Sequence, residues 1–244
     1  MSQPDRAEVL ALLQHFQESP LGEHLILAGS SGVYGVSGSI PALTEDVDVL
    51  VDAEWISTQE EMVLDQMRRL GFEHQPGTPT FTAADGLSLD LVGYSRLDAV
   101  DRIGGGKQLP VMVFADLSRL LSVPGSTLTL AGGGTVLSPA ALAIAKLLTI
   151  RLEKGSKDKL QALLVIAENA EDRDFLEQLR RLIAAFPADR IEDAVADAQA
   201  ALLAISADVR LAGPQAAGYA GMQRGLEHGL AVLQRLSGFA EPPR

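Results

Sequence analysis

Two aspartates separated by one apolar residue are the part of this sequence best suited to chemistry. The two residues are Asp46 and Asp48, with Val47 between them. Val47–Val51 is a run of apolar and acidic residues that predicts a β-strand. Side chains two positions apart on a strand point to the same face, so both carboxylates would face one site. Adjacent carboxylates raise each other's pKa unless a cation lies between them, and hard oxygen ligands suit Mg²⁺ or Mn²⁺. The pair therefore indicates a candidate metal site.

A third aspartate follows on a later predicted strand. Asp90 lies within Leu87–Val92, and the Asp85-Gly86 turn before it predicts a hairpin with Phe81–Ala83. If the strand of Asp90 lies beside the strand of Asp46 and Asp48, the three carboxylates would hold two metal ions. Such a site binds nucleotide phosphates and lowers the pKa of an attacking hydroxyl. An Asp-x-Asp pair alone is more often a solvated strand face or a turn.

Small residues after the first predicted strand form a candidate phosphate-binding segment. The strand His24–Ala28 runs into Gly29-Ser30-Ser31-Gly32, where small side chains let backbone N–H groups approach a phosphate closely. A glycine-serine turn by itself is ordinary chain punctuation. The order of these segments along the chain is more informative than any one of them. The order is an apolar strand, Gly-Ser, a spacer, the Asp46–Asp48 pair and then Asp90.

This order resembles the signature of the nucleotidyltransferase superfamily with the DNA polymerase beta-like fold. The resemblance implies an α+β fold, in which a mixed sheet with flanking helices is followed by a helical C-terminal domain. It also implies transfer of NMP from an NTP to a hydroxyl acceptor, which could be a small molecule, a tRNA end or a protein. Asp46, Asp48 and Asp90 would be the catalytic residues and the ligands of Mg²⁺ or Mn²⁺. Gly29 and Ser30 would bind the nucleotide.

The resemblance continues into the segment that carries Lys146, Arg151 and Asp158, which is similar to bacterial nucleotidyltransferase-like proteins, the AbiEii-type toxins among them. It implies that Lys146 and Asp158 bind the nucleotide and that an antitoxin protein is a partner. Two features depart from the pattern. The spacer after Ser30 is rich in glycine where relatives continue into a helix, and Gln161 stands where relatives often have an aspartate. A surface position is the alternative for Lys146, and Lys154, Lys157 and Lys159 are predicted to be a solvated helix end.

The remaining elements must position these residues. Periodicity predicts a first helix over residues 5–17, a helix from Ser57 to Leu70, and short strands at 111–114, 127–130 and 135–137. Asp52 and Glu54 are predicted to be plain surface acids. From Ser138 the pattern is helical, with helices predicted at 139–152, 157–168, 173–185, 191–205 and 214–236. The sequence therefore predicts a nucleotidyltransferase-like domain over residues 1–137 and a helical domain over 138–244.

Composition narrows the class of protein. The 244 residues carry 32 acidic and 20 basic side chains, a formal charge of −12, and no cysteine. The absence of cysteine excludes disulfides and a thiolate metal site and fits a cytoplasmic protein. Residues 1–145 hold 18 acids and 7 bases, whereas residues 146–159 hold five bases and two acids. This distribution disfavours a broad nucleic-acid surface but not a local phosphate site. Glycine and proline interrupt both long uncharged runs, so no membrane association is expected.

Two alternatives to an active transferase stay open at this point. The chain could be a catalytically degenerate nucleotidyltransferase-like module that binds a nucleotide or a protein. It could also be an interaction protein whose function lies in its helical half, in which case the Asp46–Asp48 pair is incidental.

Overall fold

The structure, a computed structural model, describes residues 6–40, 46–149, 155–207 and 218–238. It divides into two compact units. The first unit is Met1–Val36 with Leu43–Leu137, and the second is Ser37–Ala42 with Ser138–Arg244. None of the helices that the structure describes is long and apolar enough to cross a membrane.

The first unit is built on a mixed sheet. Its strands are β1 (Leu25–Leu27), β2 (Asp46–Asp52), β3 (Phe72–His74), β4 (Thr80–Ala83), β5 (Ser88–Tyr94), β6 (Arg102–Gly105), β7 (Pro110–Val113), β8 (Thr127–Thr129) and β9 (Thr135–Leu137). The order across the sheet is β3-β4-β5-β2-β1-β9-β8, and β7 also pairs with β5 and with β6. The β2–β5, β1–β9 and β5–β7 pairs are parallel, and the other pairs are antiparallel.

The described helices that accompany this sheet are α1 (Arg6–Gln17), α2 (Gly29–Val36), α3 (Ala53–Arg69) and α4 (Ala115–Ser122). The core lies on one face, where Val47, Val49 and Val51 of β2 are fully buried with Leu89 of β5 and Ile56 of α3. Burial of this apolar face is the main force that holds helices and strands together. The alternate residues of β2 and β5, including the aspartates, occupy the opposite face.

The second unit is helical. Its helices are α5 (Pro139–Leu148), α6 (Gly155–Glu168), α7 (Arg173–Ala184), α8 (Ala188–Ala207) and α9 (Gln223–Ser237), with a 3₁₀ turn at Ala220–Met222. Ser138 caps α5 by accepting a hydrogen bond from the Ala141 N–H, and Pro139 occupies the first turn, as the sequence predicts. Helix α6 packs against α5, α8 and α9. The α+β fold class is therefore confirmed.

Several element boundaries differ from the prediction. Helix α3 begins at Ala53 instead of Ser57, because the Asp52 carboxylate caps it by accepting from the N–H groups of Glu54 and Trp55 at 3.0 and 3.2 Å. The strand β2 thus enters α3 without a loop. Strands β3 and β6 and helix α4 are too short and irregular in pattern to be predicted. Helix α9 begins at Gln223, and the predicted residues 214–217 and 150–152 lie outside the described residues.

Candidate active site

The sheet register brings two of the predicted aspartates side by side. Strands β2 and β5 run parallel, and Asp48 pairs with Asp90 while Asp46 pairs with Ser88. Paired residues of neighbouring strands project to the same face with the strands about 4.8 Å apart. Asp46 lies two residues before Asp48 and shares that face. All three aspartates therefore lie on the face of the sheet opposite the core.

Gly29 lies directly against the Asp48 carboxylate. Its φ is +59°, in the left-handed region that glycine tolerates, and a Cβ built there would lie 1.7 Å from Asp48 Oδ2. The Ala28 N–H also donates to the Asp48 carbonyl at 2.9 Å, which joins the end of β1 to β2 at this point. Asp48 is 8% exposed. Both the conformation and the contact therefore require glycine at position 29.

One hydroxyl group orients the Asp90 carboxylate, and another binds the Asp46 backbone. The Thr80 hydroxyl on β4 donates to Asp90 Oδ1 at 2.6 Å, and the Ser31 hydroxyl donates to the Asp46 carbonyl at 3.1 Å. Sequence reasoning did not single out Thr80. The hairpin register that the Asp85-Gly86 turn sets could have found it, since Thr80 pairs with Asp90 across the hairpin.

The aspartate pair fits the chemistry of a hard divalent cation. No group of three or more His, Asp or Glu side chains within the described ranges is arranged to hold a metal ion. Mg²⁺, however, usually takes one or two protein carboxylates and fills its remaining positions with water and substrate phosphate. Asp48 and Asp90, in register on adjacent strands, supply that smaller donor set. The residues present are therefore compatible with Mg²⁺ or Mn²⁺ bound together with a phosphorylated substrate.

Helix α2 begins at the residue that touches Asp48. The structure corrects the prediction here, because Gly29–Val36 is a helix instead of a turn and a glycine-rich spacer. Intrinsic propensity disfavours four closely spaced glycine and serine residues in a helix. Tertiary packing overrides it, since a Cβ on Gly35 would lie 3.0 Å from the Val136 side chain and a larger residue would push α2 off the sheet. Ser30, 4% exposed, lies in the first turn of α2, where helix N–H groups commonly bind phosphate.

Lys146 and Asp158 form a buried ion pair inside the helical unit. Lys146 Nζ lies 2.9 Å from Asp158 Oδ1, and their side chains are 3% and 10% exposed. A surface position for Lys146 is therefore wrong. Such a pair is held in place strongly, because removing either partner leaves a buried charge without its counterion.

The predicted solvated helix end at Lys157 and Lys159 is also wrong. Lys157 is 5% exposed and Lys159 is 4% exposed, because α5, α8 and α9 surround α6. The Lys159 ammonium donates to the carbonyls of Leu147 and Thr149 at the C-terminal end of α5. Burial lowers the pKa of Lys159 below its usual 10.5, and the Asp197 and Asp158 carboxylates partly oppose this effect. Arg151 and Lys154 lie outside the described residues.

Asp52 and Glu54 are not plain surface acids. Asp52 caps α3 and forms an ion pair with Arg96 at 3.2 Å. Glu54 accepts hydrogen bonds from Arg102 and, at 3.0 Å, from the Ser95 hydroxyl. These acids connect α3 to the loop after β5 and to β6, and a local sequence pattern does not reveal these connections because Ser95, Arg96 and Arg102 lie more than 40 residues away.

Comparisons with known proteins show a likeness of fold. The crystal structure of JHP933 from Helicobacter pylori matches with a TM-score of 0.50 and 12% sequence identity, over 97% of this chain and 94% of that one. A second H. pylori structure, described as a "putative nucleotidyltransferase", has a TM-score of 0.47 and 12% identity, over 96% and 93% of the two chains. No family model and no curated protein sequence matches this chain. At this identity, the JHP933 likeness supports the architecture of the whole chain and nothing finer.

Proposed function

We propose that this protein is a metal-dependent nucleotidyltransferase that transfers NMP from an NTP to a hydroxyl acceptor. The observation that carries the proposal is the pairing of Asp48 with Asp90 on adjacent parallel strands, with Gly29 packed against the Asp48 carboxylate. A solvated acid pair on a surface places no demand on the residues around it. Here, the Asp48 carboxylate leaves room only for glycine at position 29. The motif order in the sequence supports the same function.

Asp48 and Asp90 would hold Mg²⁺ or Mn²⁺ with the nucleotide phosphates, and Asp46 would lie on the same face of the sheet beside them. A divalent cation in such a site neutralises phosphate charge and lowers the pKa of the attacking hydroxyl. The N–H groups at the start of α2, at Gly29 and Ser30, would bind phosphate oxygens. Asp90, oriented by Thr80, would accept the proton of the acceptor hydroxyl. The acceptor oxygen then bonds to the α-phosphorus, the bond to the β-phosphate oxygen breaks, and pyrophosphate leaves.

A nucleotide-binding role for Lys146 and Asp158 is also part of the proposal. A compact ammonium group neutralises triphosphate charge well, but a phosphate would have to compete with Asp158 for the buried Lys146 ammonium. The resemblance of this segment to AbiEii-type proteins is the support for that role.

The test is transfer of α-labelled NTPs in Mg²⁺ by the wild type and by Asp48→Asn and Asp90→Asn, across small-molecule, tRNA and protein acceptors. Asp65→Asn is the matched control, because Asp65 is a half-buried acid on α3 that pairs with Arg69. We expect each site variant to lose about 10³-fold in rate, since electrostatic stabilisation of phosphoryl transfer is lost. Equal transfer by Asp48→Asn and Asp65→Asn would refute the assignment.

A binding module without catalysis is the second candidate. The absence of a three-acid metal cluster from the part of the chain that the structure describes favours it. Calorimetry separates the two functions. An NTP that binds equally with and without Mg²⁺, with no transfer to any acceptor, would support the binding module.

A toxin role rests on the AbiEii resemblance alone. If it holds, expression of the wild type should arrest bacterial growth while Asp48→Asn should not. Co-expression of the protein encoded by the neighbouring reading frame should relieve the arrest if that protein is the antitoxin.

A further inference from the structure

A cavity of about 610 Å³ lies on the same face of the sheet as the aspartates. Two of its lining residues show this placement. Ile26 pairs with Leu50, two residues after Asp48, and Tyr94 lies four residues after Asp90. Since side chains alternate between faces, both residues project to the face of the aspartates. One step of two residues along a strand is about 7 Å, so the cavity begins about 7 Å along the sheet from the Asp48–Asp90 row.

The lining combines an apolar surface with two cationic groups. Ile26, Leu97 and Leu121 supply apolar contacts, and Arg96 and Arg119 supply guanidinium groups. Small-molecule sites are typically clefts of about 300–1,000 Å³, mostly apolar, with a few polar groups that orient the ligand. The size and lining of this cavity suit a small organic molecule with an anionic group.

The basic residues that line this cavity contrast with the acidic charge of the rest of the domain. Residues 1–145 hold 7 basic and 18 acidic side chains, yet two of the basic residues, Arg96 and Arg119, line this cavity. Asp98 also lines the cavity, but Arg102 pairs with it at 3.0 Å and so offsets its charge. Asp52 holds the Arg96 guanidinium through Nε. The Arg96 side chain is 71% exposed, so its guanidinium can turn toward a carboxylate or a phosphate, although Asp52 offsets part of its charge.

We propose that this cavity is the acceptor subsite, and that the acceptor is a small organic acid or phosphate ester with a hydroxyl group at its other end. The anionic group binds Arg96 and Arg119, the body of the molecule lies on Ile26 and Leu121, and the hydroxyl extends along the sheet toward Asp90. The acceptor role rests on the proposed nucleotidyl transfer. A cavity of about 610 Å³ is too small to enclose a folded protein.

Binding is tested by calorimetry without NTP or metal, with phenyl phosphate, phenylacetate and uncharged benzyl alcohol as probes. We expect the wild type to bind one or both anions and to bind benzyl alcohol at least about tenfold more weakly. The double variant Arg96→Gln/Arg119→Gln should bind the anions about tenfold or more weakly, while the control Arg68→Gln, an exposed arginine on α3, should bind as the wild type does. The two anions distinguish a phosphate ester from a carboxylic acid.

A second variant tests the cavity without altering its charge. Ser122 is exposed at the end of α4, so Ser122→Phe should fill the cavity at little cost to folding, abolish probe binding and raise the KM for the acceptor. No saturable binding of either anion, or equal binding by the double arginine variant, would overturn the subsite whatever the transfer assay gives. Absence of NMP transfer by the wild type would instead overturn the proposed function.

Discussion

At the scale of single residues, the site depends on a glycine as much as on the carboxylates. Gly29 accepts a left-handed backbone and leaves room for Asp48 Oδ2, so one residue sets both the start of α2 and the place of a carboxylate. The sequence motif includes this glycine, but it predicts that the backbone N–H groups there approach a phosphate. It does not predict the contact between Gly29 and Asp48. Thr80 is a second residue of this kind, because it acts only through its hydrogen bond to Asp90.

The contact between Gly29 and Asp48 can be tested separately from the left-handed backbone conformation of Gly29. In Gly29→Ala, the left-handed conformation should destabilise the fold by about 1–2 kcal/mol, and the new Cβ should also displace the Asp48 carboxylate. Gly77→Ala is the control, since Gly77 has a φ of +76° and no atom within 4 Å of its built Cβ. We expect both variants to lose stability in urea unfolding and only Gly29→Ala to lose transfer activity. Full activity in Gly29→Ala would contradict the proposed contact with Asp48.

At the scale of elements, the helical unit is organised around α6. Its lysines and Gln161 are buried as fully as its apolar residues because helices lie on several sides of it. Helix α9 approaches α6 so closely that a Cβ built on Gly229 would lie 2.0 Å from the Leu163 carbonyl oxygen. Backbone contact of this kind leaves no space that a rotamer change could provide.

This contact predicts opposite outcomes for two glycines on α9. Gly229→Ala should destabilise the protein by about 1–3 kcal/mol or more, because α9 must move away from the α6 backbone. Gly225→Ala meets only the end of the Leu164 side chain at 3.2 Å and gains helix propensity, so its stability should stay within about 1 kcal/mol of the wild type. Urea unfolding measures both. Equal stability of the two variants would refute the close α6–α9 approach.

At the scale of the whole molecule, the formal charge of −12 hides a division between the two units. The first unit is acidic, yet two of its arginines, Arg96 and Arg119, line the cavity. The second unit buries lysines against helix carbonyls and carboxylates. A buried cation makes the stability of the whole chain depend on pH, because folding changes its pKa.

Lys159 predicts the direction of that dependence. Burial lowers its pKa in the folded protein below 10.5, so between the folded value and 10.5 the unfolded chain binds more protons. Its contribution to stability is therefore present above 10.5 and lost as pH falls through the folded pKa. We expect the unfolding free energy of the wild type to rise relative to Lys159→Met as pH increases toward 10.5, measured in urea. The exposed Lys107, replaced by Met, is the control, and parallel curves for wild type and Lys159→Met would contradict the prediction.

Local patterns in the sequence determined the elements with strong periodicity. Alternation predicts β2 and β5, Asp85-Gly86 predicts the β4–β5 hairpin, and Ser138-Pro139 predicts the start of α5, because capping, turn chemistry and pleat act over a few residues. The same alternation places Asp46 and Asp48 on one face. These features needed no tertiary information.

Only the tertiary structure decided the pairing of Asp48 with Asp90, the helix at Gly29, the hydrogen bond from Thr80 and the burial of Lys157 and Lys159. Each depends on residues far apart in the chain, and there packing free energy exceeds local propensity. The cavity at Arg96 and Arg119 has no local signature either, since α4, β1 and the loop after β5 meet only in the folded chain. Sequence determines which groups this protein can use, and packing determines which of them meet.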